Sequence, residues 1–287
     1  MNLKVAFFVA LMSVFTAYQL AFFSLPHVRD ISKDKLKFSS IFVIFSLFFA
    51  VQLLIMPLLF LFYFIIKSGH LPLESDKSLD PQILGWFNVC AMLLGFLTVY
   101  GFFKKMHRNA QNLIWHGGQN LLQAHSLKSF FLGVSTWLIS YPVVFFIGQL
   151  LTLLISKFFG ITEEMQTPVK SIQMTAAYPT LYLSMAISMA VLVPITEELL
   201  FRGFLQTWLK GKISIFYAIL LSSFIFALFH YSSTQGMNNI LYVPALFILS
   251  CFLGFLYERE RSLWAPIGLH LTFNSISLLF LWNYPPS

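Results

Sequence analysis

The chain has 287 residues, of which 58% are hydrophobic, 18% aromatic and only 10% charged. This balance excludes an ordinary soluble globular domain and indicates a polytopic membrane protein. The formal net charge of +7 would suit a nucleic-acid-binding protein, but the basic residues are scattered through short connectors. We therefore expect these basic residues to interact with membrane lipids and not with nucleic acid.

Eight apolar runs follow one another along the chain, and each is long enough to predict a transmembrane helix. The predicted spans are Val5 to Leu25, Phe38 to Ile66, Pro81 to Phe103, Ser129 to Ser156, Ser171 to Leu200, Ile213 to Phe229, Asn239 to Tyr257 and Trp264 to Trp282. The fold class predicted is an all-α membrane protein, a bundle of about eight transmembrane helices. We expect residues 1–128 to hold the first three helices and their basic connectors, and residues 129–287 to hold the other five.

The connectors predict the orientation of the bundle. Most Lys and Arg residues lie in the connectors after the first, third, fifth and seventh predicted helices, which places those connectors in the cytoplasm and both termini outside. The connector after the third helix contains Leu113, Ile114 and Trp115, and it is either a short amphipathic helix on the membrane surface or a solvated loop. Short connectors and the lack of a cleavage site after the first span favour a prokaryotic plasma (inner) membrane.

Ionisable residues appear at the end of the fifth apolar run, where the chain otherwise looks lipid-facing. Glu197 and Glu198 adjoin the charge-free run that begins at Ser171, and Arg202 follows. Ionisable groups at membrane depth are costly and mark function by default. Glu198 and Arg202 are four residues apart, so on a helix they neutralise each other, whereas Glu197 points about 100° away from Glu198 and is free for another partner.

Two histidines lie in or at the end of apolar helices. His270 and Asn274 are four residues apart, so an imidazole and a carboxamide share one face of the eighth helix. Such a pair suits the stabilisation of an oxyanion. Phe226 and His230 likewise share a face of the sixth helix, where the phenyl ring is placed to exclude water. Each histidine alone is more often a helix-packing group, but two histidines with an acid pair indicate a catalytic site.

Together these spacings resemble a known family. Glu-Glu-x-x-x-Arg at 197–202, Phe-x-x-x-His at 226–230 and His-x-x-x-Asn at 270–274 resemble, in that order, the CAAX protease and bacteriocin-processing (CPBP, or Abi) family of intramembrane proteases. Its best-known members are CAAX prenyl endopeptidases. The resemblance covers the catalytic core at residues 171–281, and the first half of the chain resembles no family that we identify.

The resemblance implies an intramembrane endopeptidase, a glutamate-dependent hydrolase acting on a peptide or protein substrate that is prenylated or otherwise membrane-associated. Glu197 would be the general base that activates water, with His230 helping to hold that water. His270 and Asn274 would bind the oxyanion, and Glu198 with Arg202 would support the helix. No metal or other cofactor is implied.

Two other interpretations stay open. Glu197, His230 and His270 could supply three zinc ligands and leave one position open, as in a metalloprotease, although the sequence has no H-E-x-x-H. Alternatively, the protein is a non-catalytic membrane scaffold or immunity protein whose polar groups only lock helices together.

The predicted helix ends conflict with a shared site. Straight helices would place Glu197 near the inner face and His230 near the outer face, about 30 Å apart. A single site requires the fifth helix to end deep in the membrane, or the sixth to start there. We therefore expect a water-accessible intramembrane catalytic cavity bounded by the fifth, sixth and eighth helices.

Overall fold

Helix is the only regular structure in the part of the chain that the computed structural model describes, residues 3–25, 36–70, 80–118, 126–160 and 165–283. The helices are α1 (Leu3–Gln19), α2 (Phe38–Ser68), α3 (Pro81–Lys105), α4 (Arg108–His116), α5 (Ser126–Phe159), α6 (Thr167–Gln173), α7 (Pro179–Leu209), α8 (Ile215–Phe229), α9 (Asn239–Glu260) and α10 (Trp264–Asn283).

Six of the described helices, α2, α3, α5, α7, α9 and α10, are long and apolar enough to cross a membrane, whereas α1 and α8 are apolar but shorter. The protein is therefore an all-α integral membrane protein, and the predicted fold class is confirmed. The count of eight spans stays a prediction, because α1 has only 17 residues and α8 only 15. The division at residue 128 also stays a prediction.

The fifth predicted span is wrong at both ends. A separate short helix, α6, occupies Thr167–Gln173, and α7 begins only at Pro179, since proline favours the first turn of a helix. At its other end, α7 continues to Leu209 instead of stopping at Leu200. Arg202, which suggested the membrane exit, is only 1% exposed and lies inside the helix.

Helix α7 is the centre of the bundle. It packs against α2, α3, α4, α8, α9 and α10. The apolar cluster around it includes the fully buried Leu199, Leu200 and Phe204. Two π-helical segments, Ser188–Leu192 and Leu199–Gln206, lie on either side of the two glutamates. Such wider turns are rare in helices and occur frequently at functional sites.

The continuation of α7 beyond Glu197 removes the conflict over depth. From Glu197, α7 runs 12 residues to Leu209, about 18 Å at 1.5 Å per residue. After the turn, α8 runs back over 15 residues to Phe229, about 22 Å. His230, which follows α8, therefore returns to the depth of Glu197.

Glycines bring α5 and α10 into close contact. A side chain at Gly133 of α5 would collide with the carbonyl of Ala265, and one at Gly268 of α10 would collide with the carbonyl of Phe130. Small residues at such crossings let helix backbones approach each other inside a membrane. This crossing fixes the beginning of α10, and with it the position of His270.

Between α3 and α5, a short helix forms in place of a solvated loop, and its position along the membrane surface stays a prediction. Residues Arg108–His116 form α4, which begins after His107, whose ring accepts from the amide of Asn109. It ends at Gly117, which has a positive φ of 54°. Leu113 and Ile114 on its apolar face are buried, and α4 packs against α7.

Candidate active site

Glu197 lies near the middle of α7 and faces two imidazole rings. Its Oε1 atom is 3.7 Å from Nε2 of His230, and its Oε2 atom is 3.7 Å from Nε2 of His270. The side chain of Glu197 is 18% exposed and that of His230 is 31% exposed. The structure thus brings together the end of α8, the second turn of α10 and the middle of α7.

Each imidazole is held through its other nitrogen. Nδ1 of His230 lies 2.9 Å from the carbonyl oxygen of Phe226, and Nδ1 of His270 lies 2.7 Å from Oε1 of Glu198. A carbonyl and a carboxylate only accept hydrogen bonds, so both Nδ1 atoms act as donors. Both Nε2 atoms are therefore directed at Glu197.

This arrangement has a chemical consequence at Glu197. In a neutral imidazole whose Nδ1 carries the proton, Nε2 is an acceptor. The two Nε2 atoms and the two oxygens of Glu197 are then four acceptors facing one another. Four acceptors that face one another are stabilised by a hydrogen-bond donor or a positive charge between them. A water molecule, a cation or a protonated imidazole ring supplies it. The geometry suits the binding and deprotonation of water.

Glu198 points the other way and forms a buried ion pair. Nη1 of Arg202 donates to its Oε1 atom at 3.0 Å, and both side chains are almost completely buried. Nη2 of the same guanidinium donates to the hydroxyl and the carbonyl oxygens of Ser250, at 2.6 and 3.1 Å. The predicted pairing of Glu198 with Arg202, and the separate direction of Glu197, are confirmed.

Phe226 connects the ion pair to the histidines. Its ring centroid is 4.7 Å from the Arg202 guanidinium carbon and 4.6 Å from the His230 ring centroid. The ring is fully buried and also lies edge-on to His270, with 6.0 Å between the centroids. Phe226 therefore forms an apolar wall of the site, as its spacing from His230 predicts.

Asn274 lies one turn after His270 on α10. Its Nδ2 atom donates to the carbonyl oxygen of Met189 at 2.9 Å. Met189 belongs to the first π-helical segment of α7, so this bond joins α10 to α7 beside the glutamates. One of the two amide protons of Asn274 is used in this way, and the other is available to a ligand.

Nothing in the sequence predicts three of these contacts. They are the bonds of Glu198 to His270, Arg202 to Ser250 and Asn274 to Met189, which join residues 72, 48 and 85 positions apart. Among the described residues, no group of three or more His, Cys, Asp or Glu side chains is arranged to hold a metal ion. The catalytic cavity expected at the site stays a prediction.

The fold and this cluster define a class of protein: an integral membrane protein with a glutamate and two histidines converging inside its helix bundle. Residues 179–276 match the family described as "Type II CAAX prenyl endopeptidase Rce1-like". The resemblance to the CAAX protease family is thereby confirmed for this segment, which begins with α7 and ends within α10.

A curated relative of the chain is also named as a membrane peptidase. The chain is 31% identical over 121 residues to the Bacillus subtilis (strain 168) protein named "Putative membrane peptidase YdiL". The match covers 42% of this chain and 45% of that protein, so the chain spans less than half the length of this relative. No solved structure matches the chain. These comparisons support a membrane protease.

Proposed function

We propose that the protein is an intramembrane endopeptidase that hydrolyses a peptide bond with a water molecule activated by Glu197. The observation that carries the proposal is the convergence of both His Nε2 atoms on the Glu197 carboxylate, each at 3.7 Å. The match to a prenyl endopeptidase family and to a relative named as a membrane peptidase supports the same activity. The substrate proposed is a membrane-associated peptide, prenylated near its C-terminus or unmodified.

In this mechanism, Glu197 accepts a proton from water while Nε2 of His230 holds the water by a hydrogen bond. The water oxygen attacks the carbonyl carbon of the scissile peptide bond, and the carbonyl electrons move to oxygen. Collapse of the tetrahedral intermediate restores the carbonyl and breaks the C–N bond. The leaving nitrogen takes the proton that Glu197 holds, so the carboxylate is regenerated.

His270 and Asn274 are proposed to stabilise the oxyanion. The second amide proton of Asn274 is a donor, because only one is used by Met189. His270 donates through Nε2 when both of its nitrogens are protonated, and Glu198, 2.7 Å from Nδ1, stabilises that cation. Loss of one oxyanion donor typically lowers kcat by about 100- to 1000-fold.

A zinc-dependent reaction is a second candidate, and one observation favours it. Histidines that bind metals usually donate their other N–H to a carboxylate or a backbone carbonyl. Nδ1 of His270 and Nδ1 of His230 make these two kinds of bond. Glu197, His230 and His270 would then be the ligands of a zinc ion, although these three described side chains are not arranged as a metal-binding group in the structure.

The test is cleavage of farnesylated and unmodified C-terminal peptides by the purified protein and by its Glu197→Gln variant, with zinc content measured on the same samples. We expect the wild type to cleave without stoichiometric zinc and Glu197→Gln not to cleave, because glutamine cannot accept the proton of water. Glu260→Gln, a carboxylate change outside the site, is the matched control and should retain cleavage. Cleavage by Glu197→Gln would contradict the assignment of the base.

The metal assay separates the two mechanisms. Wild-type activity that is lost on chelation and restored by zinc would favour the metalloprotease. A scaffold or immunity protein would leave every peptide uncut, and Glu197→Gln would alter only its stability.

A further inference from the structure

A cavity of about 420 Å³ lies at one end of the bundle, separate from the glutamate–histidine site. Its walls come from the last turns of α3, from α4 and from Trp264 at the start of α10. The same end holds the turn after α7, since Lys210 forms an ion pair with Glu258 near the end of α9 at 3.2 Å. The positive-inside rule makes this the cytoplasmic end.

The charged side chains that line this cavity, in the part of the chain that the structure describes, are Lys104 and Arg108. Both are exposed, and Nζ of Lys104 lies 5.8 Å from the centroid of the Tyr100 ring on the cavity wall. The two cations lie four residues apart, on either side of the short break between α3 and α4. An anion in this cavity would therefore meet two positive charges.

Polar groups on α4 complete the lining. The Nδ1 atom of His116 is buried without a hydrogen-bond partner among the described residues. Burial lowers the pKa of His116, so the ring is neutral at pH 7 and offers one N–H. The amide of Gln111 donates to the carbonyls of Lys104 and Met106, at 2.9 and 2.8 Å, which fixes the wall between the two cations.

Aromatic rings form the remaining wall. The centroid of Trp115 is 5.5 Å from that of Phe103 and 5.4 Å from that of Trp264. The backbone carbonyl of Trp115 also accepts from the amide of Leu263, at 3.0 Å, which holds α4 against the start of α10. Tryptophans are enriched at the level of lipid headgroups. A cavity with cations, amides and tryptophans at that level matches a phosphate group that carries an apolar tail.

We propose that this cavity binds the phosphate group of a negatively charged ligand, with Lys104 and Arg108 as its cations. The headgroup of an anionic phospholipid and a soluble phosphate share this chemistry, and the experiment distinguishes them. The cavity shares no residue with the proposed catalytic cluster. A negative result in the peptide-cleavage test would therefore leave this proposal unaffected.

The test is native mass spectrometry of the full chain in detergent, titrated with phosphatidylglycerol or phosphatidylcholine of identical acyl chains. We expect one phosphatidylglycerol to bind about 25-fold more tightly than phosphatidylcholine. The Lys104→Gln/Arg108→Gln variant should lose this preference, since each cation near a lipid surface contributes about fivefold. The matched control is Lys105→Gln/Lys212→Gln, which removes two exposed cations from the same end but none from the cavity.

Competition with glycerol 1-phosphate identifies the source of the phosphate. A preference for phosphatidylglycerol that glycerol 1-phosphate does not reduce supports the lipid headgroup. Displacement of the lipid by millimolar glycerol 1-phosphate supports a soluble phosphate. Equal loss of preference in the control variant, or no loss in the cavity variant, overturns the proposal. If the double variant does not fold, Arg108→Gln alone provides the same test with a fivefold expectation.

Discussion

At the residue scale, the two adjacent glutamates have opposite surroundings because neighbouring side chains on a helix diverge by about 100°. Glu198 is fully buried and bonded to Arg202 and His270, whereas Glu197 keeps 18% of its side chain exposed. Both bonds go to Oε1 of Glu198, and its completely buried carboxylate is out of reach of solvent water. The partly exposed Glu197 is therefore the glutamate that suits the proposed role of base, and Glu198 joins α7 to α10.

This division predicts the effect of Glu198→Leu on stability. Among the described residues, the substitution leaves the buried Arg202 guanidinium with the oxygens of Ser250 as its hydrogen-bond partners and with no carboxylate bonded to it. Breaking a buried ion pair in this way costs about 3–5 kcal/mol. We expect the free energy of unfolding to fall by that amount, measured by chemical denaturation in detergent, whereas Glu197→Gln should change it by less than about 1 kcal/mol.

A double variant separates the charge from the packing. Glu198→Leu/Arg202→Met removes both charges and fills a similar volume, and apolar replacement of a buried ion pair is often neutral or stabilising. We expect this variant to regain most of the stability that Glu198→Leu loses. If the double variant were no more stable than the single one, lost packing rather than the unpaired charge would be the cause.

The site residues that sequence alone could predict are those related by helical spacing. Glu198 and Arg202 are four residues apart within α7, and His230 directly follows α8, four residues after Phe226, so local geometry is enough to pair them. The bond between His270 and Glu198 was not predictable, because it depends on how α10 crosses α7. The family resemblance indicated that these residues belong to one site, but not which atoms meet.

At the element scale, the predicted helix ends are accurate where the composition changes sharply from apolar to polar. They are wrong where a charged residue is buried inside a helix. Helix α10 was predicted within one residue, because Trp264 and the polar residues before it mark the boundary. The end of α7 was misplaced by nine residues, from Leu200 to Leu209. A guanidinium normally marks the membrane surface, but Arg202 is neutralised by Glu198 one turn earlier and stays inside.

The crossing of α5 and α10 predicts a sensitive position away from the chemistry. Gly133→Leu would place a branched side chain against the backbone carbonyl of Ala265, where even a Cβ atom collides. We expect the helices to separate, the thermal unfolding temperature in detergent to fall, and peptide cleavage to drop as His270 moves from Glu197.

Gly148 on the same helix supplies the control. A Cβ atom at Gly148 would meet no other atom within 4 Å. Gly148→Leu should therefore leave both the unfolding temperature and cleavage close to those of the wild type. Equal damage from the two substitutions would mean that a lost helical glycine, rather than the α5–α10 crossing, is responsible.

At the scale of the whole molecule, the described basic residues of several connectors gather at one end of the bundle. Lys104 and Lys105 end α3, Lys210 and Lys212 follow α7, and Arg261 follows α9, where its guanidinium donates to the carbonyl of Gly117 at 2.7 Å. At the other end, Lys67 lies in the last turn of α2, Lys157 near the end of α5 and Lys170 in α6. This asymmetry predicts that the turn after α7 faces the cytoplasm.

Cysteine labelling tests this orientation. In a background with Cys90→Ser and Cys251→Ser, which removes both native thiols, single cysteines are introduced at exposed positions as Lys157→Cys or Lys212→Cys. A membrane-impermeant maleimide added to intact bacterial spheroplasts should label Lys157→Cys at once and Lys212→Cys only after permeabilisation. The opposite pattern would place the turn after α7, and the proposed phosphate cavity beside it, on the outer face. The cavity would then meet the lipids of the outer leaflet, while the Glu197 site between α7, α8 and α10 would keep the same geometry in either orientation.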